Sequence, residues 1–157
     1  MATPDFILEL RAKIGTHPLW LSGITAVVQR DNGDLLLVRR ADNGNWTPVT
    51  GIIDPGEEPA VAAEREVLEE ADIRATVVRL ASIQTTAEHV YANGDRAQYI
   101  DFTFLCRYDG GEPAPADGEN LEARWFGRDD LPPMPPEFDI VEMWSAALFI
   151  DEAKFML

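Results

Sequence analysis

Aliphatic and alternating runs along the chain predict several β-strands. The runs GITAVV and LLLVRR are rich in β-branched and aliphatic residues, and Asn32 and Gly33 between them favour a tight turn. This pattern predicts a hairpin from Ile24 to Arg40. The runs ATVVRLASIQT and AQYIDFTFLCRY predict two more strands, joined through a second Asn-Gly pair, and EARWFGRDDLP predicts a short strand that ends in a turn.

Two segments near the chain ends carry apolar residues at helical spacing. The first, TPDFILELRAKIG, predicts a short N-terminal helix over about residues 4–14, in which Phe6, Leu10 and Ile14 share one side. The second, EFDIVEMWSAALFIDEAKF, follows a proline cluster and predicts a C-terminal helix that caps the domain.

A third helix is predicted from Pro59 to about Asp72. Its sequence, PAVAAEREVLEEAD, consists of good helix formers and opens with a proline, which favours the first helical position. Four of its residues fall near one side: Val61, Ala62, Arg65 and Leu68. The preceding segment, ADNGNWTPVTGIIDPGEEP, is dense in turn-forming residues and predicts a long surface loop.

Composition and charge restrict the class of protein. The 157 residues are 46% hydrophobic, which is enough for one substantial core, so we expect a single domain over residues 1–157. The 28 acidic and 13 basic residues give a formal net charge of -15, which argues against binding nucleic acid through its phosphate backbone. No apolar run approaches the roughly 20 residues that span a bilayer, and the N-terminus does not resemble a signal peptide. We therefore expect a cytoplasmic protein with no membrane partner.

Three glutamates crowd one side of the third predicted helix. Glu66, Glu69 and Glu70 fall at i, i+3 and i+4, which places their carboxylates on one face. Such a face is either a solvated acidic surface or a site where a hard divalent cation supplies the missing positive charge.

The residues around these glutamates favour the metal site. Over Gly51–Ile73 the spacing is a glycine, five residues, Glu57, seven residues, then Arg-Glu, an aliphatic residue, any residue and Glu-Glu. This resembles the signature box of the Nudix hydrolase family, with one departure, since Asp72 stands where the box ends in glycine. Aspartate tolerates the left-handed conformation that a residue just past a helix end adopts, so we expect Asp72 to preserve the turn.

The resemblance implies a fold, an activity and a cofactor. The fold is α/β (α+β), the Nudix α/β/α sandwich around a mixed β-sheet, from about residue 20 to residue 155. The activity is metal-dependent hydrolysis of a nucleoside diphosphate linked to another moiety. The metal, Mg²⁺ or Mn²⁺, would be held by Glu66, Glu69 and Glu70 with help from the carbonyl of Gly51.

Other site residues are less tightly specified by the resemblance. In family members the general base is either a box glutamate or a glutamate from a distant loop, and the sequence leaves both open. The loop candidates here are Glu119 and Glu122 in DGENLEARWF, of which we choose Glu119. Glu57 and Arg65 are expected to form an ion pair that supports the metal face.

Substrate contacts are predicted for Arg39, Trp46 and Tyr99. Arg39 and its neighbour Arg40 end a strand, and alternation sends only one of them toward phosphate. Trp46 is a candidate for stacking on a nucleobase, although aromatic residues also simply pack. Tyr99 shares a strand face with Asp101 and Thr103, which forms either a polar strip in the pocket or an ordinary polar sheet face.

Several functional readings follow. The first is a pyrophosphohydrolase acting on ADP-ribose or a nucleoside triphosphate, and the second is a catalytically silent Nudix-like sensor that only binds nucleotides. An isopentenyl diphosphate isomerase is disfavoured, because the only cysteine, Cys106, lies in an apolar run and is expected to fill the core. The aromatic-proline signature of the NADH-cleaving branch is missing, so that substrate is discounted. A homodimer through the N-terminal helix and HPLWL is one reading of those apolar residues, and a helix packed on its own domain is another.

Overall fold

One mixed β-sheet organises the part of the chain that the computed structural model describes, residues 3–116, 118–139 and 154–155. Its strands in chain order are β1 (Leu19–Gln29), β2 (Leu35–Arg40), β3 (Trp46–Thr47), β4 (Val49–Ile52), β5 (Arg74–Thr85), β6 (His89–Val90), β7 (Arg96–Gly110), β8 (Asn120–Phe126) and β9 (Lys154–Phe155). The helices are α1 (Asp5–Ile14) and α2 (Pro59–Ala71), with short 3-10 turns at Arg128–Asp130 and Pro136–Phe138.

The centre of the sheet is a long parallel pair. β1 runs beside β7 from Leu19 opposite Ala97 to Gln29 opposite Arg107. β5 lies antiparallel on the other side of β7, and the path through the sheet is β3-β2-β1-β7-β5-β9. Parallel strands need a crossover connection, and the segment that joins β1 to β7 contains α2 together with the strands β2 to β6. The α+β class and the mixed sheet are therefore confirmed.

The helix α2 covers one face of the sheet. Three of its alanines (Ala62, Ala63 and Ala71) and Val67 join a buried cluster with strand residues that include Ile24 and Phe104. The helix ends where Asp72 adopts φ 54° and ψ 31°, and the Asp72 N–H donates to the carbonyl of Leu68 at 3.0 Å. Asp72 thus preserves the left-handed turn, as predicted from its side-chain type.

The helix α1 packs on its own domain. It begins and ends close to the predicted positions, and its buried residue is Ile7, which contacts a small cluster with Leu21 and Ala97. Of the predicted apolar side, Phe6 packs against this cluster only in part, and Leu10 and Ile14 are exposed. The contacts of α1 therefore favour the intramolecular explanation of its apolar residues, and a homodimer stays a prediction.

Two strand predictions need correction. The hairpin from Ile24 to Arg40 forms only near its turn, at the pair Gln29 and Leu35, because β1 then pairs with β4 while β2 pairs with β3 and β8. The long loop predicted before α2 is wrong in its first part, which contains β3 and β4. These strands are only two and four residues long, so turn-forming residues dominate the local pattern.

The predicted C-terminal helix lies mostly on residues 140–153, outside the described part of the chain. The ends of that segment are described, and they are not α-helical: Pro136–Phe138 forms a 3-10 turn and Lys154–Phe155 forms β9 beside β5. Among the described residues, no helix is both long enough and apolar enough to cross a membrane.

Candidate active site

The helix α2 turns two carboxylates toward the sheet. Its buried residues are Ala62, Ala63, Glu66, Val67, Glu70 and Ala71. Val61 and Leu68, which the sequence pattern groups with Ala62, are instead 54% and 47% exposed. The side that these residues share is therefore not the packed side, where two positions are glutamates.

Glu66 is fully buried beside Gly51 of β4. Gly51 has to be glycine, because a Cβ there would overlap the Glu66 carboxyl group. Oε1 of Glu66 accepts a hydrogen bond from Arg65 at 2.9 Å, whereas Oε2 has no hydrogen-bond partner among the described residues. Burial raises the pKa of Glu66 to about 8, and Glu70 and Glu69 add to this rise while Arg65 opposes it.

Arg65 ties the loop before α2 to the carboxylates. Its Nε and Nη2 donate to the two oxygens of Glu57, both at 2.8 Å, and Nη2 also donates to the carbonyl of Ile52 at 3.3 Å. Its Nη1 donates to Glu66 at 2.9 Å and to Glu69 at 3.2 Å. The hydrogen bonds from Arg65 lower the pKa of Glu57, and those to Glu57 raise the pKa of Arg65. The expected pair of Glu57 and Arg65 is therefore present as a two-pronged contact.

Asn120 contacts the second buried glutamate, Glu70. Both side chains are buried, and Nδ2 of Asn120 donates to Oε2 of Glu70 at 3.1 Å. Within residues 3–116 and 118–139, Oδ1 of Asn120 has no hydrogen-bond partner. Asn120 is not among the predicted site residues, because the contact joins α2 to the start of β8 and the only local signal is that Asn120 follows Glu119.

A cavity of about 750 Å³ opens beside these carboxylates. The predicted site residues that line it are Gly51, Glu66, Glu70, Tyr99 and Glu119. The Glu69 side chain is 43% exposed and is not among the lining residues. The cavity thus brings together residues of β4, α2, β7 and the loop before β8.

The structure corrects the choice between Arg39 and Arg40. Arg39 forms an ion pair with Glu122 across β2 and β8, and neither of these two residues lines the cavity. Arg40 lines the cavity and lies 3.4 Å from Asp42. The pairing of β2 with β8 is irregular between Arg39 and Arg40, so strand alternation counted from the sequence does not decide which side chain faces the cavity.

Trp46 also lies away from the cavity. Its ring meets the edge of Phe126 at a centroid distance of 4.8 Å, within a cluster formed around Val27, Leu35 and Leu37. The stacking role proposed for Trp46 is therefore corrected to a packing role.

Tyr99 and Asp101 form a polar part of the cavity wall. The hydroxyl groups of Tyr99 and Tyr91 are 2.6 Å apart, and burial raises the pKa of Tyr99. Asp101 is 7% exposed and accepts hydrogen bonds from Thr25 at 3.1 Å and from Thr103 at 3.2 Å. Burial raises the pKa of Asp101, and the two hydroxyl donors oppose that rise. Of the two readings of this strand face, the structure favours a polar strip in the cavity.

The donor groups fit a hard divalent cation. Carboxylate oxygens are the ligands that Mg²⁺ prefers, and the unpartnered Oε2 of Glu66 is a buried oxygen that a cation would satisfy. In the described part of the chain, no three carboxylate, imidazole or thiolate groups already converge as metal ligands. Arg65 holds Glu66 and Glu69 by hydrogen bonds, so a bound cation would compete with these contacts.

Comparison with protein families and sequences gives consistent matches. A family model described as the NUDIX domain matches residues 20–143. A MutT-like protein from Streptomyces ambofaciens is 33% identical over 114 residues, which cover 73% of this chain and 68% of that protein. The NAD-capped RNA hydrolase NudC of Escherichia coli is 33% identical over 114 residues, which cover 72% of this chain and 41% of NudC. The chain therefore spans less than half the length of NudC.

A solved structure agrees with these matches. A MutT NUDIX hydrolase from Burkholderia pseudomallei is 27% identical, covers 79% of this chain and 96% of its own, and superposes with a TM-score of 0.58.

Proposed function

This chain belongs to the Nudix hydrolase family, and from that premise we propose that it hydrolyses a nucleoside diphosphate linked to another moiety, with ADP-ribose or a nucleoside triphosphate as the substrate class. The proposal depends most on the buried carboxyl group of Glu66. This group has an unpartnered oxygen, lies against Gly51, and shares a cavity wall with Glu70.

Glu66, Glu69 and Glu70, with the carbonyl of Gly51, would hold Mg²⁺ or Mn²⁺. When bound, the ion would neutralise the charge of the diphosphate and lower the pKa of a bound water molecule. The formal net charge of -15 opposes the approach of a polyanionic substrate, so such neutralisation favours its binding.

Residues behind the carboxylates hold them in place. Arg65 is itself fixed by two hydrogen bonds from its guanidinium to Glu57, so it orients Glu66 and Glu69 from the loop side. Asn120, at the start of β8, orients Glu70. We assign Glu57, Arg65 and Asn120 a positioning role, because each acts through another side chain.

The cavity wall supplies the remaining polar groups. Arg40 is the arginine of β2 that faces the cavity, and we assign it to a substrate phosphate. Glu119 is our choice for the general base, because it lines the same cavity as Glu66 and Glu70 yet belongs to a separate segment. A box glutamate remains the alternative base.

The partner that we propose is a small nucleotide in the cytoplasm rather than a nucleic acid. The acidic composition supports this choice, and the free buried Cys106 is consistent with a reducing compartment. The similarity to NudC makes NAD⁺ and NAD-capped RNA necessary members of any substrate panel.

The experiment that tests the function is product release from a panel of nucleoside triphosphates, ADP-ribose, dinucleoside polyphosphates, sugar nucleotides, NAD⁺ and NAD-capped RNA. Each substrate is assayed with Mg²⁺ or Mn²⁺ and with EDTA as the control. We expect cleavage of one class that requires the metal and falls at least about 100-fold in Glu69→Gln and Glu70→Gln. Glu58→Gln is the matched control, since Glu58 is an exposed glutamate at the start of α2 and makes no side-chain capping hydrogen bond.

Unchanged activity in both variants would rule out the assigned roles of Glu69 and Glu70. No cleavage of any substrate, with nucleotide binding retained in a thermal-shift assay, would instead support the sensor alternative.

A further inference from the structure

Asp101 is a buried carboxyl group in the cavity wall that none of the roles above uses. Its two oxygens accept hydrogen bonds from Thr25 and Thr103. In the part of the chain that the structure describes, no arginine, lysine or histidine forms an ion pair with it. A carboxylate has room for about four hydrogen bonds, so the side that faces the cavity can accept more from a ligand.

The position of Gly23 shows what lies next to Asp101. Gly23 is paired in the sheet with Asp101 on one side and with Ile52 on the other. The point where a Cβ would stand at Gly23 is 3.3 Å from Cδ1 of Tyr99, 3.4 Å from the carbonyl oxygen of Gly51 and 3.5 Å from Oδ1 of Asp101. The absence of a side chain therefore leaves a space that these three groups border together.

The distances limit which part of a nucleotide reaches this space. Because the oxygens of Gly51 and Asp101 both lie within 3.5 Å of one point, they are separated by no more than twice that distance. A diphosphate held by the cation that the Gly51 carbonyl would help to bind is joined directly to a sugar, whereas the nucleobase lies farther along the molecule. The sugar is therefore the part of such a nucleotide that we place next to Asp101.

Hydroxyl donors suit the Asp101 carboxyl group. Ribose carries two neighbouring hydroxyl groups that each donate a hydrogen bond, and the cavity of about 750 Å³ that Gly23, Tyr99 and Asp101 line has room for a five-membered ring. A buried acceptor also discriminates strongly, because a ligand that lacks the hydroxyl leaves it unsatisfied.

We propose that Asp101 selects ribose over deoxyribose by accepting a hydrogen bond from a hydroxyl group of the sugar attached to the diphosphate. This inference rests on the proposed function for the position of the diphosphate. It makes Asp101 a specificity-determining residue and narrows the proposed substrate class to ribonucleotides.

Equilibrium binding tests the inference without requiring turnover. Calorimetry with Mg²⁺ compares ADP, 2′-deoxy-ADP and 3′-deoxy-ADP, with inorganic pyrophosphate as the ligand that has no sugar. We expect the wild-type protein to bind ADP about 10- to 100-fold more tightly than at least one deoxy analogue, the factor for a lost hydrogen bond to a charged acceptor. In Asp101→Asn the acceptor is at most a neutral amide oxygen, so the difference should fall to within about threefold, while the affinity for pyrophosphate is unchanged.

Two further variants complete the design. Asp109→Asn makes the same chemical change on the same strand at an exposed carboxylate paired with Arg107, and it should keep the wild-type preference. If Asp101→Asn does not fold, Gly23→Ala is the second variant, because its methyl group enters the sugar space at contacts of 3.3 to 3.5 Å. It should weaken ADP binding at least about tenfold more than it weakens pyrophosphate binding, since pyrophosphate has no sugar to meet the methyl group.

The outcomes separate this inference from the proposed function. Equal affinities for the three nucleotides in a wild-type protein that hydrolyses its substrate would overturn the role of Asp101 and leave the hydrolase intact. A preference for ribose without metal-dependent hydrolysis would overturn the hydrolase and leave the sugar site. A change in the ratio of ADP to inosine diphosphate in Asp101→Asn, with the sugar preference retained, would show that Asp101 contacts the base. A wild-type protein that binds none of these ligands would overturn the sugar site, while the cleavage panel decides the hydrolase independently.

Discussion

The substitution Glu66→Gln tests how much the buried charge of Glu66 destabilises the folded protein. Glutamine has the shape of glutamate, and its amide oxygen still accepts the hydrogen bond from Arg65, but it carries no charge. In the metal-free protein we expect this variant to gain stability over the wild type as the pH rises.

The size of the effect follows from the pKa of Glu66, which burial raises from 4.5 to about 8. Between these values the folded protein holds one proton more than the unfolded chain, so the stability that this proton supplies is present at low pH and is lost as the pH rises toward the folded-state pKa. Each pH unit in this window is worth about 1.4 kcal/mol, so between about pH 5 and about pH 8 the wild type should lose about 3 kcal/mol relative to the variant.

Urea unfolding in EDTA, followed by the fluorescence of the four tryptophans, measures this difference. The quantity of interest is the free energy of unfolding of Glu66→Gln minus that of the wild type at several pH values, because all other titrating groups cancel. Added Mg²⁺ provides a second measurement: its stabilisation of the wild type should increase with pH, since binding displaces the Glu66 proton, and should be largely lost in the variant.

A difference between the two proteins that does not change with pH would refute the reasoning, because it would mean that Glu66 has the same pKa in the folded and unfolded states. A difference that changes in the opposite direction would mean that Arg65 outweighs burial at this carboxyl group.

Three further predictions test neighbouring residues. Arg65→Lys keeps the charge but loses the two-pronged contact with Glu57, and it should lower kcat at least about tenfold with a smaller change in KM; an unchanged kcat in steady-state kinetics would contradict the positioning role. Arg40→Ala should raise KM at least about tenfold while Arg39→Ala changes it less than about threefold, since only Arg40 faces the cavity; equal effects would remove the distinction. Asp72→Gly should leave kcat unchanged and alter the free energy of unfolding by less than about 1 kcal/mol, because glycine adopts the left-handed conformation without strain but loses more backbone entropy on folding. Asp72→Val should unfold at clearly lower temperature, because a β-branched residue is strained in that conformation.

The sequence alone was sufficient for features that depend on local periodicity and spacing. Good helix formers between Pro59 and a residue that tolerates the left-handed conformation define α2, and runs of β-branched residues beside Asn-Gly pairs identify most long strands. The spacing from Gly51 through the glutamates is likewise a property of the chain, so it indicated the family before any contact was known.

Tertiary structure alone decided which side chains meet. The carboxyl groups of Glu66 and Glu70 are buried because they contact Gly51 and Asn120. Val61 and Leu68, on the same helix, are exposed. These partners lie many residues away along the chain, so local periodicity cannot predict them.

The same reason explains the corrected residues. Arg39 and Arg40 are adjacent residues of the same type, so the sequence does not distinguish them. Where the pairing of β2 with β8 is irregular, Arg39 contacts Glu122 and Arg40 lines the cavity. Trp46 is an aromatic residue in a turn-rich segment until β3 pairs with β2 and brings its ring against Phe126. The chain thus encodes which chemical groups are present and at what spacing. Sheet pairing and burial select which of them face one another, since these depend on contacts between segments far apart in sequence.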